Sequence, residues 1–93
     1  MPTFKISGKI SKISEVAQVS PNYQKQEVWL DVVEGQYEIN LTFDFGSKMF
    51  NRLAEFSAGE NVEITFAAHG REHNDKRFVS LKGININPTP SGN

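Results

Sequence analysis

Two histidines, His69 and His73, are the only imidazoles in this 93-residue chain, and it contains no cysteine. Thiolate ligands, cysteine nucleophiles and disulfides are thereby excluded together. On an extended segment, four residues span roughly 13 Å, too far for these imidazoles to share one metal ion unless the loop between them folds back. No Asp or Glu completes a ligand motif with them. The serines and threonines lie in no nucleophile elbow, and no glycine-rich phosphate loop follows a strand and opens a helix. The expectation is a protein without catalytic residues, metal site or cofactor, one that binds rather than catalyses.

The binding chemistry is aromatic and basic. Unpaired nucleic-acid strands are held by rings that stack on bases and by cations that follow the phosphates. Phe78 stands beside Arg77 and close to Lys82, with Arg71, His73 and Lys76 just upstream. Tyr23 and Lys25 form a second such pairing, and Lys5, Lys9 and Lys12 recur along the first apolar-alternating segment. Alternation of Val28, Leu30 and Val32 sends Trp29 to the opposite face, with Glu27 and Asp31 beside it. An exposed Trp has two readings: a platform for a base, or a ring covered by the first loop or by a second subunit. The flanking carboxylates weigh against the first, because they repel phosphates at short range. Phe78 likewise reads as a stacking ring or as a residue packed beneath its own loop.

Net charge is −1, which by itself does not announce a nucleic-acid ligand. Its distribution is more informative. Residues 1–12 carry three Lys and no acid, and residues 26–47 carry five acids and no base. Residues 71–82 carry four bases against two acids. One basic and one acidic face would follow, as would simple solvated strand faces. Hydrophobic residues make up 38% and charged residues 23% of the chain, as in an ordinary soluble domain. No apolar run is long enough to span a membrane, and Met1–Lys5 shows no signal-peptide core. A reducing, cytoplasmic setting is expected, and one domain with one modest core.

These residues must be positioned by strands. Phe4–Ile10 alternates at period two, and a bulge or bend between Gly8 and Ser11 explains why Ile13 and Val16 leave that register. A first strand of this kind can curl to pair with both sheet edges of a barrel. Residues 18–24 read as a loop turning at Ser20-Pro21-Asn22. Lys25–Val33 is the second strand, and Tyr37–Phe45 the third, with Ile39, Leu41 and Phe43 inward. Ser47 is placed to cap a helix over Lys48–Phe56, with Met49, Phe50, Leu53 and Phe56 on one face. Asn61–His69 is the fourth strand, with Val62, Ile64, Phe66 and Ala68 inward. Gly70–Lys76 is a polar loop or the tip of a long hairpin. Arg77–Ile86 is the fifth strand, with Val79 and Leu81 inward and a bulge at Gly83. Residues 1–86 form the domain and 87–93 a mobile tail.

This order predicts an all-β fold, a five-stranded OB-type barrel with one short α-helix between strands 3 and 4. An SH3-like barrel also has five strands but usually carries a short 3₁₀ turn instead of a two-turn amphipathic helix.

The runs Lys25-Gln26-Glu27, Gly59-Glu60-Asn61-Val62 and Arg71-Glu72-His73-Asn74 ahead of Arg77-Phe78 carry a family likeness. The chain resembles, over roughly Phe4–Ile86, a family of short bacterial and phage OB-fold proteins. That family was long catalogued as a domain of unknown function and is regarded as single-stranded-DNA-binding. The resemblance implies an OB barrel, single-stranded DNA as ligand and no enzymatic activity. It points to Lys25 and Gln26, and to Arg71, Glu72, Asn74 and Phe78 around the last hairpin. Larger bacterial single-strand binders end in an acidic tail that recruits partners; residues 87–93 carry no acid, so that mode is not expected.

The resulting expectation is a sequence-tolerant single-stranded-DNA-binding protein serving replication, recombination or repair, in the cytoplasm of a bacterium or a phage-infected host. Its interface would comprise Lys5, Lys9, Tyr23, Lys25, Trp29, Arg71, His73, Lys76, Arg77, Phe78 and Lys82. Single-stranded RNA is the related ligand, and a homo-oligomer would lengthen the binding track. The alternative is a protein-interaction or assembly module on the same barrel, favoured by the near-zero net charge and the acidic middle strands.

Overall fold

The alternating segment at the start of the chain forms the strand that closes the molecule on itself. In the computed structural model, which describes residues 2–89, β1 (Thr3–Ile13) pairs antiparallel with two partners. Thr3–Lys9 pairs with β5 (Asn61–His73), and Lys9–Ile13 with β3 (Tyr23–Glu34). The register shifts between Ile10 and Lys12, leaving Ser11 as the extra residue of the expected bulge. The remaining elements are β2 (Ala17–Ser20), β4 (Tyr37–Gly46), a 3₁₀ turn at Ser47–Met49 running into α1 (Phe50–Leu53), and β6 (Lys76–Pro88). The ring β1-β5-β6-β4-β3 returns to β1, so five strands close an OB-type barrel. The weakest seam is between β4 and β6, whose parallel pairing rests on Asp44 opposite Lys82.

Side chains from every wall fill the interior. Ile10, Val28, Leu30, Phe43, Phe45, Val62, Ile64 and Ile86 are buried, and Leu53 of α1 plugs one end. Each such side chain contributes about 1.5–3 kcal/mol on burial. Gly83 exists because of this core: a Cβ there would sit 2.3 Å from the Phe45 ring.

Several expectations are corrected. Of the loop expected over 18–24, residues 18–20 belong to β2, hydrogen-bonded to the N-terminal end of β3, and residues 23–24 already to β3, with the turn at Pro21-Asn22. This extra edge strand places the helix between the fourth and fifth strands of the chain. The helix is also shorter than Lys48–Phe56, and Ser47 does not cap it. The helical segment begins at Ser47, with Gly46 in the capping position and no side-chain cap. Arg52 fixes α1 instead, donating to the Ile86 carbonyl at 3.2 Å and to Asn87 Oδ1 at 3.0 Å. The last strand runs past Ile86 to Pro88, and the Thr89 amide donates to the Asn61 carbonyl. Of the tail expected over 87–93, residues 90–93 lie outside the described residues.

Coverage, rather than facing, is where the inward sets fail. The β5–β6 hairpin continues beyond the Thr3–Ala67 pair as a two-stranded arm that no other strand flanks on β5's side. The tip of the β3–β4 hairpin likewise runs past the Lys9–Asp31 pair, toward the same N-terminal end of β1. Ile39, Ala68 and Val79 lie on these projections, so the core does not cover them, and Val79 is 72% exposed. Ala67, which shares the opposite face of β5 with its partner Lys82, is buried there, whereas Ala68 on the inward face is exposed. The arm ends in a two-residue turn, Asn74-Asp75, with φ of 53° and 63°, the hairpin connection that matches strand twist.

Candidate nucleic-acid interface

Residues opposite one another in an antiparallel pair share a face, and this sorts the arm. The pairs His69–Ser80, Arg71–Phe78 and His73–Lys76 lie on one face, continuous with Lys82 on the barrel's outer surface. Phe78 is 52% exposed there. Arg77, although next to Phe78 in sequence, pairs with Glu72 on the other face and lies 3.5 Å from its carboxylate. The expected basic-aromatic cluster therefore divides: Arg71, His73, Lys76, Phe78 and Lys82 come together, and Arg77 does not. Shallow grooves run along the arm beside Phe78 and Val79. Among the described residues, no group of three potential metal ligands occurs, and no helix is long and apolar enough to cross a membrane.

At the foot of the arm, the Lys82 ammonium lies 5.7 Å from the centroid of the Tyr23 ring. A groove of about 790 Å³ opens beside this ring. Its walls come from three distant stretches: 18–24 at the β2–β3 turn, 46–49 at the start of the helical segment, and 83–84 on β6. Sequence reasoning found Tyr23 and Lys82 but missed Gln18, Asn22, Gln24, Gly46, Lys48 and Ile84. The one local signal was the bulge expected at Gly83. Between Thr65 and Phe66 the register with β6 slips by one residue, making Ile84 the extra residue. It is 46% exposed and lines the groove.

Lys25 is already engaged. Its ammonium is 3.4 Å from Glu27 and 3.6 Å from Asp44. Burial works against its charge, but the two carboxylates outweigh that and hold its pKa above the ordinary lysine value. Because Asp44 turns to Lys25, it forms no ion pair with Lys82, its partner across the β4–β6 seam.

Trp29 faces outward as expected and is 42% exposed. Lys12 lies over its ring, and its indole N–H donates to Glu27 at 3.3 Å. Asp31, Glu38, Asn40 and Thr42 border the shallow depression beside it. Asp31 and Glu38 both accept from the Asn40 amide, at 2.7 and 3.0 Å. The surface around Trp29 is thus predominantly acidic. Lys5 and Lys9 are exposed on β1, which stands across the ring from the β4–β6 seam. The structure does not gather them with Lys82 and the arm.

The fold is shared with solved structures. Rim1, a mitochondrial single-stranded DNA binding protein from S. cerevisiae, superposes with a TM-score of 0.82 at 17% identity, covering 98% of each chain. The dimeric N-terminal domain of PriB from Thermoanaerobacter tencongensis gives 0.72 at 17% identity, covering 96% of this chain and 97% of that one. A small single-stranded DNA-binding protein from Streptomyces coelicolor gives 0.65 at 10% identity, covering 95% and 94%. A comparison with curated proteins gives no match. Residues 5–87, nearly the whole barrel and its arm, match the family described as "Domain of unknown function (DUF3127)", and the chain belongs to that family.

Proposed function

We propose that this protein binds single-stranded DNA without catalysing a reaction, in the service of replication, recombination or repair. The observation that carries the reading is the single face on which Phe78 stands exposed among Arg71, His73, Lys76 and Lys82, with Tyr23 at its foot. A ring between cations is what an unpaired strand requires, and stacking tolerates any base. Likeness of fold to proteins that bind single-stranded DNA supports the reading. Lys5 and Lys9 would serve a strand only where it wraps round the barrel. A homo-oligomer would join two such tracks.

The test is fluorescence anisotropy with oligo-dT, a single-stranded RNA of equal length and duplex DNA, each titrated with salt. Each phosphate neutralised on a single strand contributes about −0.7 to the slope of log affinity against log salt. Arg71, Lys76 and Lys82 together predict a slope of about −2. Absence of oligo-dT binding at low salt, or an affinity indifferent to salt, overturns the reading.

The acidic surround of Trp29 favours a second role for that face alone, contact with a protein. Quenching of the single Trp as protein concentration rises, without DNA, is the signature of such a contact. Quenching by a short single strand places the strand there instead.

A further inference from the structure

The groove beside Tyr23 has features that a flat stacking ring lacks. It is walled on two sides by exposed apolar surface, the Tyr23 ring and the bulged Ile84. Gly46 forms part of its floor, and a Cβ built there would meet nothing within 4 Å, so free space reaches down to the backbone. Lys48 lines the groove and Lys82 overhangs the ring, and neither forms an ion pair among the described residues. The nearest carboxylate on the seam, Asp44, is held by Lys25.

Amides complete the rim. Gln24 donates to Gln18 Oε1 at 3.0 Å, and Gln18 in turn donates to the Ser20 carbonyl. This pairing leaves the Gln24 side-chain oxygen and the Asn22 side-chain amide without hydrogen-bond partners among the described residues. An apolar slot with a few convergent polar groups and a volume of several hundred Å³ has the general character of a small-ligand site. A ring wall, an amide edge and two ammonium groups match the three parts of a nucleotide: the base face, the base edge and the flanking phosphates.

We propose that this groove is a subsite that takes one unstacked nucleobase of the bound strand, with Lys48 and Lys82 on the phosphates either side of it. The inference rests on the single-stranded-DNA reading and deepens it. Contact with Phe78 is indifferent to base identity, whereas the Gln24 and Asn22 amides read the edge of the base in the groove and impose a preference.

The decisive variant is Gly46→Val. Gly46 is extended, with φ −83° and ψ 177°, a conformation β-branched residues adopt readily. The Cβ meets nothing within 4 Å, so the added methyl groups enter the free space of the floor. Anisotropy is measured with oligo-dT, oligo-dC and oligo-dA of equal length for wild type, Gly46→Val and Phe78→Ala, with circular dichroism to confirm folding. The subsite predicts that Gly46→Val lowers affinity about tenfold, the size of one lost base contact, and compresses the differences among the three strands. Phe78→Ala should lower affinity for all three and keep their ranking. Should Gly46→Val unfold, Gln24→Ala takes its place and must flatten the ranking. Wild-type affinity and ranking in the folded variant overturn the subsite while leaving the broader reading intact. Failure of wild type to bind any of the strands overturns both.

Discussion

The Lys12 ammonium lies 5.0 Å from the centroid of the Trp29 ring, at the point where β1 leaves β5 and takes β3 as its partner. Lys12 is opposite Trp29 in register only because the bulge at Ser11 shifts the pairing by one residue. The bulge therefore sets a cation over an indole that would otherwise face water. A cation–π contact at an exposed site is worth about 0.5–1 kcal/mol. A double-mutant cycle of Lys12→Met and Trp29→Leu, followed by urea unfolding, should give a coupling energy of that size. A coupling indistinguishable from zero would mean that the ring and the ammonium are neighbours without mutual stabilisation.

Gly83→Ala should be among the most damaging single-methyl changes in the chain. The new Cβ would lie 2.3–2.6 Å from three carbons of the Phe45 ring, which is fully buried and has no room to retreat. Overpacking of this kind costs about 1–3 kcal/mol. Gly46→Ala, 37 positions earlier, meets nothing in an extended backbone any residue adopts, so by restricting the unfolded chain it should raise the unfolding midpoint slightly. Equal midpoints for the two variants would show that Phe45 can repack.

Much of the barrel was legible because alternation reports facing. The alternation points Val28, Leu30, Phe43, Val62 and Ile64 inward, and all five are buried. Alternation says nothing of how far a sheet extends beyond its neighbours, and that is why Ile39, Ala68 and Val79 lie uncovered on projecting hairpins. β2 escaped notice because Ala17–Ser20 has no buried residue to impose a period. The interface was legible only where its residues are close in sequence. Arg71, His73, Lys76 and Phe78 share a strand pair, but the groove at Tyr23 is assembled from three stretches that only barrel closure brings together. Arg77 shows the converse error: adjacency in a strand means opposite faces.

The turn of the arm holds two non-glycine residues at positive φ, Asn74 and Asp75. Asn tolerates that region best, and the second position of such a turn prefers Gly. Asp75→Gly should stabilise the arm by about 1 kcal/mol by relieving the left-handed backbone. Because the arm can open without the barrel, the gain should appear locally: amide exchange at Arg71 and Phe78 slows about fivefold while core amides are unaffected. Uniform slowing across the protein would mean that arm and barrel open together.

Lys25 divides stability from binding. Its folded pKa is raised above the ordinary 10.5, with burial opposing and Asp44 and Glu27 overcoming that opposition. A group raised on folding stabilises the native state at every pH below its unfolded value and loses that contribution as pH climbs through the folded value. The stability gap between wild type and Lys25→Met should therefore be constant from about pH 6 to about pH 9 and shrink above about pH 10.5. Removing the ammonium leaves Glu27 and the largely shielded Asp44 facing each other unbalanced, so the variant should be the less stable protein throughout the plateau. Its DNA binding should tell a different story. An ammonium held by two carboxylates has little charge left for a phosphate, so in an Asp44→Asn background, where no carboxylate is released toward Lys82, Lys25→Met should leave the salt dependence of oligo-dT affinity unchanged. Lys82→Met, which removes an ammonium with no ion pair among the described residues, should reduce the slope by about 0.7. Reversal of these two slopes would place the phosphate track over Lys25 and away from the β4–β6 seam.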